Sequence, residues 1–249
     1  MKIEGAVVVV TGAAAGLGRA TSDRLTAGGA QVIEVDRQFP GDADSSTSRA
    51  VADVTKPEEL QAAMRLPAER FGRLDAVVHC AGVAAGFRLF DELGPVDAGR
   101  FRHIVEVNLV GTFNVALAAA TVMRENAPDR DGGRGVLITT ASVAAFEGQR
   151  GQVAYAAAKA GVAGMTLPLA RDLAEYGIRC MSVAPGAFAT ALTTDLQPWL
   201  QEKLVSYTTF PKRLGRPEEF ADLVCAIIEN DILNAEVIRL DGGTRLPAL

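Results

Sequence analysis

The amino-acid sequence predicts an α/β fold, a parallel sheet doubly wound by helices on both faces. Three observations carry that expectation. Short β-branched runs alternate with longer helical stretches along the chain. A glycine-rich turn, Thr11-Gly12-Ala13-Ala14-Ala15-Gly16-Leu17-Gly18, joins the first run to the first helix. Asp36 closes the second run, where such folds hold a ribose. No repeat, low-complexity tract or linker interrupts the pattern, so residues 1–249 read as one domain.

Composition narrows the possibilities. The chain has 249 residues, 49% of them hydrophobic and 22% charged, as in an ordinary globular protein. A net charge of −5 gives no footing for nucleic acid or an anionic membrane, and neither is expected as a partner. No apolar run is expected to approach the roughly 18 residues of a membrane span. Three widely spaced cysteines, Cys80, Cys180 and Cys225, fit a reducing compartment. With only two histidines, His79 and His103, no metal site is expected. The N-terminal apolar run reads as a strand rather than a signal peptide, which places the protein in the cytoplasm.

The elements follow in order. Residues 6–11 form a strand and about 17–28 a helix closed by Gly28 and Gly29. Residues 31–36 are the second strand, and the polar stretch 38–48 is a loop. A short third strand is expected to end at Ala52-Asp53-Val54, before a helix that Pro57 starts. Residues 74–80 make the fourth strand, leading into Ala81-Gly82, and 83–96 read as loop. A long helix over about 97–126 carries Asn108. A fifth strand, about 135–141, runs into Ser142, and a helix spans about 152–176. The sixth strand, about 178–184, stops at Pro185-Gly186. Residues 187–216 look irregular with some helix, and a helix over about 217–229 precedes the last strand, 236–240.

The chemistry concentrates between Ser142 and Lys159. Tyr155 and Lys159 are four apart, so a helix puts them on one face. A nearby ammonium favours the phenolate, and a phenolate brought toward working pH is a usable general base. Ser142, at the end of a strand, can hold a substrate oxygen in front of it. At Gly12, Gly16 and Gly18 the backbone can turn tightly and approach a pyrophosphate, which the next helix N-terminus attracts. Asp36 suits the two hydroxyls of an adenosine ribose and repels the 2′-phosphate of NADP, so NAD is the expected cofactor, with Arg37 the counterargument. Asp53-Val54 frames adenine or caps the helix at Pro57. Cys80 is small enough to admit a cofactor, and His79, its neighbour, points the other way as a packed strand residue.

With these motifs in this order, the chain resembles the short-chain dehydrogenase/reductase family from end to end. Within that family VNLVGTFNV (107–115), TASVAAFEGQ (140–149), GMTLPLARDLA (164–174), PKRLGRPEEF (211–220) and EVIRLDGG (236–243) are similar to the type-2 3-hydroxyacyl-CoA dehydrogenases. His79 stands where the family usually has asparagine. The resemblance implies a single Rossmann domain with seven parallel strands, commonly assembled as a homotetramer. It assigns Ser142, Tyr155 and Lys159 to catalysis, Ser142 and Tyr155 contacting substrate, with Asn108 anchoring a water beside Lys159. It places Ala15, Leu17, Asp36, Asp53, Val54, Cys80, Phe188 and Thr190 around NAD, with Ala81, Gly82, Tyr155 and Lys159 beside them and Pro185-Gly186 closing over the nicotinamide. The implied reaction is NAD-dependent oxidation of a secondary alcohol, a 3-hydroxyacyl-CoA, in fatty acid metabolism. Two enzyme alternatives stay open: a hydroxysteroid substrate, or a 3-oxoacyl thioester on a carrier protein, for which Arg88, Arg100 and Arg102 would supply basic charge. A third is an assembly protein that binds NAD without catalysis. The substrate mouth falls roughly at 83–96 and 187–216.

Overall fold

A computed structural model describes residues 1–40, 48–84, 86–92 and 94–248. Seven parallel strands form its sheet: β1 (Val7–Thr11), β2 (Gln31–Asp36), β3 (Arg49–Val51), β4 (Ala76–His79), β7 (Gly135–Thr140), β8 (Ile178–Pro185) and β9 (Val237–Leu240). A two-stranded antiparallel ribbon, β5 (Phe90–Asp91) with β6 (Gly94–Pro95), stands apart. The sheet order is β3-β2-β1-β4-β7-β8-β9. The order reverses between β1 and β4, and ligands of such sheets lie outside the strand ends at that point.

The alternation of side chains explains the layers. Val8 and Val10 of β1 point to one face, packing with Leu25 and Phe220 beneath α1 (Gly16–Ala27) and α8 (Pro217–Glu229). Val9 points to the other, packing with Leu60, Met64 and Val115 from α2 (Pro57–Phe71) and α4 (Gly111–Met123). Both faces are covered, so the strands read as continuous β-branched runs. Parallel register then aligns the strand ends: Thr11 lies opposite His79, and His79 opposite Thr139.

Several boundaries differ from the sequence expectation. The third strand is Arg49–Val51, and Asp53-Val54 lie beyond it. Most of the expected loop 38–48 is 41–47, which lies outside the described residues. The stretch 83–96 contains the β5–β6 ribbon. The long helix is three pieces: α3 (Ala98–Val105), a π-helical turn (Glu106–Val110) and α4. Residues 187–216 hold two short helices, α6 (Ala191–Thr194) and α7 (Pro198–Ser206). The expectation about membrane spans is also corrected. By length and composition Ala98–Met123 and α5 (Val153–Ala174) could each cross a membrane. The physical reason is their place in the fold: they cover a sheet, as Val115 and Val162 at 0% exposure show, and core helices pass the same test.

Candidate active site

The turn after β1 is shaped by close approach. Gly12 has φ +69°, and a Cβ there would sit 2.6 Å from the Ala81 amide nitrogen. A Cβ on Gly18 would overlap the Gly12 carbonyl oxygen, so α1 can lie against the turn only with glycine there. Ala15, the N-cap of α1, offers no side-chain acceptor, which leaves the first-turn amides to an anion beside Gly16 and Leu17. Thr190, at the N-cap of α6, lies against this turn, its Cγ2 3.3 Å from where a Gly16 Cβ would be.

Asp36 sits half-buried at the end of β2. Its Oδ2 accepts from the Ala14 amide at 2.9 Å and its Oδ1 from the Arg37 amide at 2.7 Å. The carboxylate therefore ties the glycine turn to β2. The Arg37 side chain is exposed. Its charge helps hold the Asp53 carboxyl below its usual range, although bonds from Thr55 contribute most. Asp53 does not cap α2, whose N-cap is Lys56. Its Oδ1 instead accepts from the Thr55 amide and hydroxyl at 2.9 and 2.8 Å. Val54 is a core residue, packed against Gly111, with its carbonyl accepting from Asn114.

The catalytic candidates meet at the ends of β4 and β7. Ser142 N-caps a single 3₁₀ turn, Val143–Ala145, its Oγ accepting from the Ala144 amide at 3.1 Å. Tyr155, in the first turn of α5, packs beside Phe87 and Ile104. Lys159 is 4% exposed. Its Nζ donates to the Thr140 carbonyl at 2.7 Å and lies 5.8 Å from the centroid of the Tyr155 ring. The ammonium is thus anchored on a backbone carbonyl at the end of β7. Burial raises the Tyr155 pKa, with the Ser142 hydroxyl pulling the other way. Burial also lowers Lys159 to about 8. A buried ammonium needs an acceptor, and Thr140 supplies one.

Asn108 is fully buried in the π-helical turn. Its Nδ2 donates to the carbonyls of Val83 and Ile104 at 2.9 and 3.0 Å, and its Oδ1 accepts from the Val83 amide at 3.2 Å. A Cβ on Gly82 would meet that Oδ1 at 2.7 Å. Asn108 thus clamps the chain leaving β4, where Cys80, Ala81 and Gly82 wall the crevice. Burial pushes the Cys80 thiol up to about 12, so it is a neutral wall residue.

Packing within the protein sets the surroundings of two further candidates, Phe188 and Gly186. The Phe188 side chain is buried in the core, edge-on to Phe220 with centroids 6.4 Å apart. Gly186 is required by Asp241, whose Cα lies 3.0 Å from where its Cβ would be. That constraint comes from the end of β9, not from a cofactor. Thr140 is the supporting residue that motif reading missed. It lies two before Ser142 on an extended stretch, and that alternation was the available signal.

Known proteins resemble the chain over nearly its whole length. A family model described as short chain dehydrogenase matches residues 6–201. The 3-hydroxyacyl-CoA dehydrogenase type-2 of Bos taurus is 49% identical over 253 residues, covering 98% of this chain and 97% of that protein. The Homo sapiens protein of the same name is 47% identical over 254 residues, with the same coverage. Among solved structures, 3-hydroxyacyl-CoA dehydrogenase type-2 from Mycobacterium avium superposes with a TM-score of 0.90 at 37% identity, covering 98% of both chains.

The buried lysine predicts a pH signature. Its folded pKa, about 8, lies below the ordinary value of 10.5, so between those values the unfolded chain binds more protons. The lysine's contribution to stability therefore rises with pH across that window and is lost as pH falls through about 8. The stability of wild type relative to Lys159→Met should rise by on the order of 3 kcal/mol between about pH 8 and 10.5. Denaturant melts at several pH values check this. A constant difference would mean that Lys159 is not buried as described.

Proposed function

The chain belongs to the short-chain dehydrogenase family, and on that premise we propose that this oxidoreductase converts a 3-hydroxyacyl-CoA to the 3-oxoacyl-CoA with NAD+. The observation that carries the chemistry is the convergence of Ser142, Tyr155 and Lys159 beside a glycine-rich crevice at the strand ends. The substrate class rests on relatives of that name at close to half identity over nearly the full length.

The residues present fit a dinucleotide. The Gly12–Gly18 turn meets α1 at an N-cap without a side-chain acceptor, and Asp36 presents a carboxylate at the end of β2. Gly12, Ala15, Gly16, Leu17 and Gly18 would hold the pyrophosphate, and Asp36 the adenosine ribose. Asp53 and Val54 would border the adenine. Cys80, Ala81, Gly82, Pro185, Gly186, the Phe188 backbone and Thr190 would line the nicotinamide half. Bound NAD+ supplies the hydride acceptor.

Tyr155 takes the hydroxyl proton of the substrate as the C–H hydride leaves. Ser142 hydrogen-bonds the same oxygen and holds it in front of the phenol. Lys159, fixed on Thr140, keeps a positive charge at the site below about pH 8, and positive charge favours the phenolate. Asn108 clamps Val83 and keeps the wall beside Lys159 in place. The N-terminal apolar run is the core strand β1, at 0–3% exposure from Val7 to Val10, and the free cysteines Cys80, Cys180 and Cys225 fit a reducing compartment such as the cytoplasm.

Exposed apolar side chains support assembly. Phe113 and Leu117 on α4 and Leu167 on α5 are about half exposed, and β9 is a sheet edge. We expect a homotetramer of D2 symmetry. Light scattering at micromolar concentration should give four times the chain mass, and a monomer would overturn it.

Tyr155→Phe keeps the ring and removes the proton acceptor. Turnover of 3-hydroxyacyl-CoAs should fall about 10²–10⁴-fold while NAD affinity is kept. A variant retaining most of the wild-type rate would remove Tyr155 from catalysis. Screening wild type against short and medium 3-hydroxyacyl-CoAs, hydroxysteroids and carrier-bound substrates tests the substrate. Faster turnover of either other class would displace the acyl-CoA reading.

Cofactor choice rests on Asp36. Wild type should prefer NAD in kcat/KM by at least about tenfold, or about 1.4 kcal/mol. Asp36→Ala loses a charge-assisted acceptor and the tie to Ala14, so NAD use should drop and NADP use should rise through Arg37. Equal use of both cofactors by wild type would show that Arg37 sets the preference.

A further inference from the structure

His79 is buried at 1% exposure, and both of its ring nitrogens are hydrogen-bonded. The proton directions in this network follow from its last member. The Thr112 hydroxyl donates to the Asn108 carbonyl at 2.7 Å. A hydroxyl has one proton, so toward His79 Nε2, at 3.0 Å, Thr112 Oγ1 can only accept. His79 therefore carries its proton on Nε2. Its Nδ1 is then the acceptor for the Thr11 hydroxyl, at 2.7 Å. The chain of donors runs one way, from the end of β1 through His79 and Thr112 to the carbonyl of Asn108.

The backbone of His79 makes a second connection. Its carbonyl accepts from the Thr140 hydroxyl at 2.7 Å, and the Thr140 carbonyl in turn holds Lys159 Nζ at 2.7 Å. One residue thus joins the support of Asn108 to the support of Lys159. An asparagine at this position would carry its amide less far from the backbone than the imidazole carries Nε2. The reach to Thr112 is a property of histidine. Lys159 is the titratable group whose charge reaches the ring; burial, with a smaller effect of that charge, lowers the imidazole pKa to about 3, so the directional network is intact at neutral pH.

We infer that His79 is a positioning residue: through Thr112 it fixes the π-helical turn that carries Asn108, and so holds the Val83 wall of the crevice in register with β1. Its effect on turnover rests on the dehydrogenase reading above, whereas its effect on the turn does not. The π-helical turn needs such support because a shift in helical bonding leaves local backbone groups to side-chain partners. Removing the link leaves a buried N–H and a buried carbonyl short of a partner.

The test uses Thr112→Val, which keeps the shape and removes the hydroxyl, Thr112→Ser, which restores it, and His79→Asn, which shortens the reach. Two readouts are taken on the purified full chain. One is amide hydrogen exchange over 82–84 and 104–113, and the other is kcat with NAD affinity. Thr112→Val and His79→Asn should each raise exchange in those two segments and lower kcat by up to about tenfold, the scale of one buried hydrogen bond. NAD affinity and exchange elsewhere should stay near wild type, and Thr112→Ser should recover both readouts. A merely structural loss would spread over the sheet and lower the melting temperature without changing kcat per folded molecule. If Thr112→Val does not fold, His79→Asn with Thr112→Ser carries the same comparison. Exchange and kcat both unchanged in either variant that folds, or Thr112→Ser as impaired as Thr112→Val, would overturn the inference. If wild type lacks dehydrogenase activity, the dehydrogenase reading fails, and the exchange readout still decides the role of His79.

Discussion

Gly12 and Ala81 leave neighbouring strands so close together that a single methyl on the glycine would overlap the Ala81 amide. That approach sets the geometry of the whole crevice. It requires β1 and β4 to run parallel with their ends level, as the pairing of Thr11 with His79 makes them. Once they are level, the glycine turn, Asp36, the Cys80–Gly82 wall and the Ser142 segment open on one edge of the sheet. The reversal of strand order between β1 and β4 sends the following helices to opposite faces, so nothing of the core covers that edge. The two apolar layers serve the same geometry. With β1 at 0–3% exposure from Val7 to Val10, its register cannot slip without exposing a buried valine.

Polar groups at this edge are buried and therefore must be paired. Lys159 is neutralised in part by burial and anchored on a carbonyl, His79 stays neutral between two threonines, and Asn108 fills its amide with backbone partners. In a low-dielectric setting each unmade bond is costly, so these groups position one another rather than merely coexist. The rigid part of the site is accordingly its threonine, asparagine and histidine scaffold. That scaffold flanks the Tyr155 phenol and the Ser142 hydroxyl, which interact with each other.

Where sequence reading erred, long-range packing was the reason. Asp53-Val54 read as the end of the third strand, yet that strand stops at Val51 and Val54 packs on Gly111 of α4. The resemblance placed Phe188 near NAD, and no motif could show that its ring packs on Phe220, far along the chain. The stretch from Ala98 to Met123 has the apolarity of a membrane span because one of its faces lies on the sheet. The spacing of Tyr155 and Lys159 put them on one helical face as expected, but spacing could not show that Thr140, on another element, takes the ammonium.

By itself the sequence determined the alternation of strands and helices, the glycine turn, the acidic end of β2 and the order of Ser142, Tyr155 and Lys159. These are local properties: a period of two or of 3.6, a residue that tolerates positive φ, a helical offset of four. They were enough for the fold class and for most residues of the candidate site. Only the tertiary structure decided how those residues are charged and held. The pKa of Lys159, the tautomer of His79, the clamp of Asn108 on Val83 and the packing of the Phe188 ring all depend on burial and on partners from other elements. Burial and partnership are set by which surfaces meet when the sheet closes on its helices, and no window along the chain contains both sides of such a contact.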